Sequence, residues 1–287
     1  MTRLALAASA VAAAAILGRA YLTRRKVPPP KTKQTHVIIG TSSGLGLELV
    51  RQLAARGDKV YATVRSRKCS ASGVDHVSSV PGEVVVVEGI DITDDKVGAL
   101  LAAALKGVTI DCLFINAGSF NGTREFQGSP AGTLFADQKM DGVSMARMRA
   151  ALEINTLGPL KVAQALEPQL ASPGGKIAVM STGLGSISDN GSGGSYAYRT
   201  SKAGVNMLTK CLAMDLKKKG ICVCAIAPGF VTTEFGAGLA AMAKMGAAKV
   251  EDGARGCVDV LDLMWDMDVT GSFYRGDYGK GPKIMEW

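Results

Sequence analysis

Histidine is scarce in this sequence, with only His36 and His76 among 287 residues. Two histidines leave both metal catalysis and a Ser-His-Asp triad short of partners. The six cysteines are spread along the chain without a C-x-x-C pair, which argues against a zinc site and against a disulfide framework. We therefore expect no metal centre and interpret the cysteines as reduced and structural.

Acidic residues are absent from the first 47 positions, which carry seven basic side chains; the first carboxylate is Glu48. The rest of the chain has 26 basic and 25 acidic side chains, so the net charge of +8 belongs to the amino-terminal segment. A nearly neutral body offers no basic surface to a polyanion, and we expect no nucleic-acid partner. With 47% apolar and 20% charged residues, the composition excludes disorder and a polytopic membrane protein.

Residues 1–34 are predicted to form a leader that precedes the folded domain. A run of 14 uncharged, alanine-rich residues spans 4–17, and a basic cluster and three prolines follow within 24–30. Three interpretations stay open: a mitochondrial or plastid transit peptide, a membrane anchor that leaves the body facing the cytosol, and a cleaved secretory signal. We favour the first two over secretion, and we expect membrane contact only through an uncleaved leader.

Residues 35–287 are predicted to form a single α/β domain. Short apolar strands alternate with helical periods, and no linker divides them. This alternation predicts a doubly wound parallel sheet of Rossmann type with helices on both faces. The predicted strands are 35–39, 59–64, 84–87, 111–115, 176–180 and 221–227, and the predicted helices are 45–55, 94–106, 144–170 and 197–219.

The first predicted strand ends in a glycine-rich turn at 40–46, and a helix follows at once. Glycines let the backbone turn sharply and approach a pyrophosphate, which the free N–H groups and the positive end of the helix dipole stabilise. The expected ligand is therefore a dinucleotide. The turn residues assigned to it are Gly40, Ser42, Ser43, Gly44, Leu45 and Gly46.

The G-x-x-x-G-x-G spacing of this turn resembles that of the short-chain dehydrogenase/reductase family, whose other motifs follow in order over residues 35–287. Asn155-Thr156-Leu157-Gly158 resembles the N-x-x-G motif, and Tyr198-Arg199-Thr200-Ser201-Lys202 resembles the Y-x-x-x-K motif. The sequence around them is most similar to the carbonyl-reductase-like group that includes the sniffer and C-factor proteins. The resemblance implies further cofactor contacts at Asp91, Ile92, Asn116, Ala117, Gly118, Tyr198, Lys202, Pro228, Gly229, Val231 and Thr233.

Tyr198 and Lys202 lie four residues apart at the start of a predicted helix and so share one face. Because an ammonium beside a phenol favours the phenolate, we expect the pKa of Tyr198 to fall from about 10 toward the working pH. Such a tyrosine can exchange a proton with a carbonyl or alcohol oxygen. The resemblance implies that Lys202 also holds the nicotinamide ribose and that Asn155 anchors a water of the proton relay. An alternative for Asn155 is an amide that satisfies a kink inside a helix.

The position at which the family has its catalytic serine is occupied by a threonine in this sequence. Ser181-Thr182-Gly183-Leu184-Gly185 resembles the S-S-x-x-G motif, with Thr182 at the position of the catalytic serine. A threonine hydroxyl still polarises a carbonyl, although its methyl group narrows the pocket. Ser181 is the alternative after a shift of one residue, which would reverse the side-chain direction on a strand. We prefer Thr182.

Cofactor choice is predicted from the charge after the second strand, where Val64-Arg65-Ser66-Arg67-Lys68 contains no carboxylate. A carboxylate at this strand end would bind the 2′-hydroxyl of NAD and repel the 2′-phosphate of NADP. Arginine instead offers a fork for phosphate. We predict that NADP(H) is preferred over NAD(H), chiefly through Arg65.

The predicted function is hydride transfer between NADP(H) and a small carbonyl or alcohol substrate. Tyr198 would act as the acid/base tuned by Lys202, while Thr182 orients the oxygen and Asn155 supports the relay. The apolar segment 234–250 is expected either to close over an apolar substrate or to pack on the body. The alternative function is a catalytically idle cofactor-binding sensor or scaffold. The resemblance also implies a homo-oligomer that pairs through two long helices.

Overall fold

The computed structural model describes residues 32–65, 73–120, 139–233, 235, 239–276 and 281–287. Residues 1–31 lie outside these ranges, so the targeting or anchoring role of the leader stays a prediction. Among the helices in the described ranges, none is both long and apolar enough to cross a membrane.

One sheet organises the described residues. Its strands are β1 Thr35–Ile39, β2 Lys59–Val64, β3 Glu83–Glu88, β4 Cys112–Ile115, β5 Lys176–Met180, β6 Cys222–Ala227, β7 Phe273–Arg275 and β8 Lys283–Met285. Their spatial order is β3-β2-β1-β4-β5-β6-β7-β8, and every neighbouring pair is parallel except β7 and β8. The doubly wound parallel sheet is confirmed, but β7 and β8 were not predicted. Each has only three residues, too few to show a periodicity.

Helices cover both faces of the sheet. They are α1 Gly44–Ala55, α2 Gly73–Ser78, α3 Val97–Ala104, α4 Met145–Leu152, α5 Gly158–Leu166, α6 Tyr196–Leu216, α7 Leu239–Lys244 and α8 Val250–Leu263. The long helix predicted at 144–170 is observed as one unbroken helical segment over 145–169, in which a π-helical turn, Glu153–Leu157, joins α4 to α5. Beyond α5 the chain tightens into a 3₁₀ turn that contains Pro168, which has no N–H to continue the helix.

Two apolar layers fill the space between the sheet and these helices. Helices α1 and α8 bury residues such as Leu49 and Val260 against one face. Helices α3, α5 and α6 bury Leu101, Val162 and Val205 against the other. This is why the central strands are apolar on both sides and give continuous rather than alternating hydrophobic runs.

The cysteines divide into two groups. Cys112, Cys222, Cys224 and Cys257 are buried free thiols, in keeping with a packing role, whereas Cys211 is free and exposed on α6. The remaining cysteine, Cys69, lies outside the described residues.

The strand register brings the predicted motifs to one edge. Ile39, Ile115, Val179 and Ala225 lie at the same level of β1, β4, β5 and β6. The segments that leave these strands at their carboxyl ends therefore face a common groove, where ligands of parallel sheets bind.

Candidate active site

The glycine turn between β1 and α1 is packed too closely for a side chain at Gly40 or at Gly46. Gly40 has a φ of +84°, and a Cβ there would lie 2.8 Å from the Cβ of Ala117. A Cβ at Gly46 would lie 2.1 Å from the Gly40 carbonyl oxygen, which accepts a 2.6 Å hydrogen bond from Nδ2 of Asn116. The turn and the segment after β4 thus form one tightly packed unit.

The amino end of α1 faces the same groove. Ser43 precedes the helix with an extended backbone and does not cap it through its side chain. The first N–H groups of a helix have no partner within the helix, so those of Gly44, Leu45 and Gly46 suit an anion. The Cβ of Thr233 lies 3.5 Å from the Cβ position of Gly44, which places the segment after β6 beside the turn.

The rest of the segment after β6 continues from this contact. Pro228 and Gly229 follow the strand, with a φ of +85° at the glycine. Val231 is buried and forms a bridge to Ala248. The segment therefore turns back across the carboxyl edge, and Thr233 ends within reach of the glycine turn.

The predicted adenine side of the groove lies beyond β2 and β3. Asp91 accepts hydrogen bonds from the Thr93 N–H (2.9 Å) and from the Thr93 hydroxyl (2.7 Å), so its carboxylate also shapes its own turn. Ile92 is buried against Gly158, where an added Cβ would lie 2.9 Å from the isoleucine side chain. Arg65 is exposed directly after β2. Arg67 and Lys68 lie outside the described residues.

Asn155 lies in the π-helical turn and is fully buried. Its Oδ1 accepts from the Ser119 N–H (2.8 Å), and its Nδ2 donates to the Ser119 carbonyl (2.8 Å) and to the Ser201 hydroxyl (2.9 Å). The Ser201 hydroxyl in turn donates to the Tyr198 carbonyl (2.8 Å). The side chain of Asn155 therefore positions the segment after β4 against the first turn of α6, and its relay role stays a prediction.

Lys202 and Tyr198 lie together beneath the groove. The Lys202 Nζ donates to the Met180 carbonyl (2.8 Å) and lies 6.0 Å from the centroid of the Tyr198 ring. The lysine is only 2% exposed, and burial lowers its pKa to about 8. The close pairing of these two residues is the arrangement that the Y-x-x-x-K spacing predicts.

The protonation of Tyr198 differs from the expectation. Its side chain is 6% exposed, and burial raises its pKa, while a hydrogen bond with Thr182 acts in the opposite direction more weakly. The expected lowering by the ammonium is wrong for the protein alone, because Lys202 directs its Nζ to a backbone carbonyl and desolvation outweighs other influences. Tyr198 therefore holds its proton at neutral pH.

Thr182 and Ser181 point in different directions at the end of β5. The Thr182 hydroxyl accepts from the Leu184 N–H (3.3 Å) and is close enough to the Tyr198 phenol to lower its pKa slightly against the effect of burial. The Ser181 hydroxyl is buried and donates to Oδ1 of Asn206 (2.5 Å). The structure thus places the threonine hydroxyl, not the serine hydroxyl, beside the phenol.

Two aromatic rings complete the surroundings of Tyr198. The centroid of Phe120 lies 4.5 Å from that of Tyr198, and the centroid of Phe235 lies 5.9 Å away. Phe235 belongs to the predicted lid segment, but Phe120 was missed; its only sequence signal is its place two residues after the Asn116-Ala117-Gly118 motif. Residues 234 and 236–238 of the lid lie outside the described residues.

Metal-ligating side chains do not gather anywhere in the described part of the chain: no group of three or more His, Cys, Asp or Glu residues forms a candidate metal site there.

Comparison with known proteins agrees with this geometry. A family model for short chain dehydrogenases matches residues 34–244. A 1-hydroxy-2-glutathionyl-2-methyl-3-butene dehydrogenase from Rhodococcus sp. (strain AD45) is 33% identical over 202 residues, which cover 70% of this chain and 79% of that protein.

Solved structures share the whole fold. A short-chain dehydrogenase/reductase from Burkholderia multivorans, solved with bound NADP, is 28% identical with a TM-score of 0.73, covering 89% of this chain and all of that one. The carbonyl reductase Sniffer of D. melanogaster is 25% identical with a TM-score of 0.70 at the same coverage. The chain belongs to the short-chain dehydrogenase/reductase family of oxidoreductases, and its solved neighbours include carbonyl reductases.

Proposed function

We propose that this protein is an NADP(H)-dependent reductase of carbonyl compounds that also catalyses the reverse oxidation of alcohols. The observation that carries the proposal is the position of Thr182 beside the buried phenol of Tyr198 at the carboxyl edge of the sheet, where the threonine hydroxyl is close enough to oppose the burial-raised pKa of the phenol. Two hydroxyls at this position can contact a single carbonyl oxygen. A sensor or scaffold without turnover would not need this pair beside a buried lysine.

The residues of the groove fit a dinucleotide. At Gly46 an added Cβ would collide with the Gly40 carbonyl, so only glycine allows this tight turn, and the first N–H groups of α1 that follow from it suit a phosphate. A bound nicotinamide cofactor supplies or accepts the hydride. Arg65 would hold the 2′-phosphate of NADP, and the NADP-bound relative from Burkholderia multivorans supports this choice.

Each catalytic side chain has a distinct role in the reduction. Tyr198 donates its proton to the carbonyl oxygen as charge develops there, which its raised pKa permits because the phenol is still protonated at neutral pH. Thr182 donates a second hydrogen bond to that oxygen and fixes its position. Lys202 binds the ribose and supplies positive charge beneath the phenol.

The decisive experiment replaces the phenol hydroxyl alone. We expect Tyr198→Phe to reduce NADPH-dependent turnover of a simple aldehyde by about 100-fold or more, because the proton donor is lost. Cofactor binding, measured by fluorescence titration, should persist. Tyr274→Phe is the matched control, since Tyr274 is equally buried but lies in the core beneath α8. Unchanged turnover in Tyr198→Phe would disprove the assignment.

We also propose a homo-oligomer that pairs through α6. Met207 and Met214 lie seven residues apart on this helix and are 66% and 49% exposed. Residues at this spacing share one helix face, so the two methionines form an exposed apolar stripe. Sedimentation of the wild type and of Met207→Glu should distinguish a dimer from a monomer.

A further inference from the structure

A second cavity adjoins the active site on the outer side of the first turn of α6. It has a volume of 430 Å³ and lies between the segment at 139–140, the turn after β5 and the glycine-rich segment 192–195. Its apolar lining comes from side chains such as Leu184 and Tyr196. A cavity of this size accommodates a small organic group.

The charged side chains that line this cavity are both cations. Lys139 and Arg199 contribute to the wall, together with the Ser192 hydroxyl, and none of the described lining residues is acidic. Their combined charge favours an anion.

Arg199 is held in place rather than extended into solvent. Its guanidinium donates to the Leu184 carbonyl (3.4 Å) and to the Ser192 hydroxyl (2.8 Å). Its Nε is buried and has no hydrogen-bond partner among the described residues. A buried donor without an acceptor costs stability, and an anion in the cavity would bring an acceptor and opposite charge close to this group.

The cavity and the catalytic hydroxyls have neighbouring residues in common. Arg199 follows Tyr198 directly, and successive residues of a helix point about 100° apart, so the two side chains flank the same turn. Leu184 lines the cavity and donates its N–H to the Thr182 hydroxyl. Leu184 therefore borders both the cavity and the catalytic threonine.

We infer that this cavity binds the anionic end, a carboxylate or a phosphate, of the carbonyl substrate whose oxygen lies at Tyr198 and Thr182. The inference rests on the proposed function and narrows its substrate class. Arg199 provides a fixed guanidinium fork for the anion, Lys139 provides a mobile second charge, and the apolar wall contacts the carbon skeleton between the two ends.

The test compares three aldehydes that differ in charge: 3-carboxybenzaldehyde, its neutral methyl ester and 3-formylphenyl phosphate. We expect the wild type to prefer the acid over the ester in kcat/KM. In Lys139→Gln this preference should fall about fivefold, mainly through KM, because one partly solvated charge is removed. Arg199→Lys, which keeps the charge but loses the fork, should lower it further. Lys106→Gln, an exposed lysine beyond α3, is the control and should leave all three substrates unaffected.

The outcomes separate this inference from the proposed function. If the wild type reduces the ester and the acid equally well, or if Lys139→Gln and Arg199→Lys leave the preference unchanged, the anion site is disproved while the reductase assignment stands. If none of the three aldehydes is reduced, the proposed function fails and the inference fails with it. A larger loss for the phosphate than for the carboxylate would identify phosphate as the preferred anion.

Discussion

Two buried lysines lie near opposite ends of β5, and only one of them belongs to the active site. Lys202 donates to the carbonyl of Met180 at the carboxyl end of the strand (2.8 Å). Lys176 begins the strand at its amino end and donates to the carbonyl of Leu261 (2.9 Å). Both are almost completely buried, and burial lowers the pKa of both. A buried lysine with a lowered pKa is therefore not by itself a catalytic signature.

The surroundings make the difference. The ammonium of Lys176 lies 3.6 Å from the centroid of the Trp265 ring, which covers it. Its neighbour Cys112 is a thiol whose pKa burial raises to about 12, so it stays protonated and inert. Lys202 instead lies 6.0 Å from the ring centroid of Tyr198, beside Thr182 and the groove of the glycine turn. At the carboxyl edge of the sheet the lysine therefore lies beside a proton donor and a groove that can bind a ligand. At the amino edge the lysine is only enclosed by the core.

The amino edge also carries a buried ion network. Although burial opposes it, the His36 imidazole 3.2 Å away and hydrogen bonds from the Gln34 N–H and from Arg56 lower the pKa of Asp58 to about 2. Arg56 also contacts Asp262 at 2.8 Å and so links the segment after α1 to α8. This network connects elements and keeps its charges paired, which is a structural role.

Exchanging each lysine for methionine is the strongest way to break the comparison. We expect Lys202→Met to lower kcat/KM about 100-fold or more, because the charge beneath the phenol and the ribose contact are lost. Lys176→Met should leave kcat/KM unchanged, since no described active-site residue contacts it. Steady-state kinetics with NADPH and one aldehyde decides between them, and equal losses in both variants would show that the two edges are coupled.

Removal of single hydroxyls at the end of β5 tests the same edge more locally. Thr182→Ala should reduce kcat by about 100-fold, as removal of one donor to a developing oxyanion typically does, and Thr182→Ser should restore most of it. Ser181→Ala should keep its activity and lose about 1 kcal/mol of stability, since the buried amide of Asn206 loses a partner. If Ser181→Ala is the inactive variant, the catalytic hydroxyl has been misassigned.

A charge change after β2 sharpens the cofactor prediction. Arg65→Asp should raise the KM for NADPH about tenfold and lower the KM for NADH, because a carboxylate repels the 2′-phosphate and accepts from the 2′-hydroxyl. Arg65→Gln removes the guanidinium without adding a negative charge, so it separates the loss of the contact with the 2′-phosphate from the repulsion that a carboxylate would add. If Arg65→Asp affects both cofactors alike, Arg65 does not select between them.

The smallest expected effect concerns pH and Lys176. Its folded-state pKa lies below the ordinary value of 10.5, so between the two values the unfolded chain binds more protons and stability rises with pH. The unfolding free energy of Lys176→Met minus that of the wild type should therefore fall as the pH rises toward 10, by at most about 1.4 kcal/mol per pH unit. Arg56, Asp262, Cys112 and Cys222 act on the same ammonium. Urea titrations at several pH values measure the difference, with Lys106→Met as the exposed control.

The sequence predicted six of the eight described strands, because strands buried on both faces give continuous apolar runs that alternate here with helical periods. The groove residues were also predictable, since glycine turns and strand ends recur at fixed places in this fold. The π-helical turn was not predictable, because its residue Asn155 forms buried hydrogen bonds with Ser119 and Ser201, which lie far from it in the sequence. The rise in the pKa of Tyr198 was missed for a similar reason. The phenol is buried by residues that are distant in the sequence, such as Phe120.

The amide of Asn155 has a consequence for redesign. Three hydrogen bonds of 2.8 to 2.9 Å connect it to Ser119, in the segment after β4 at the cofactor groove, and to Ser201, in the helix α6 that carries the proton donor Tyr198. An engineer who reshapes one of these segments for a new cofactor will therefore displace the other, and the hydride and proton halves of the reaction must be optimised together.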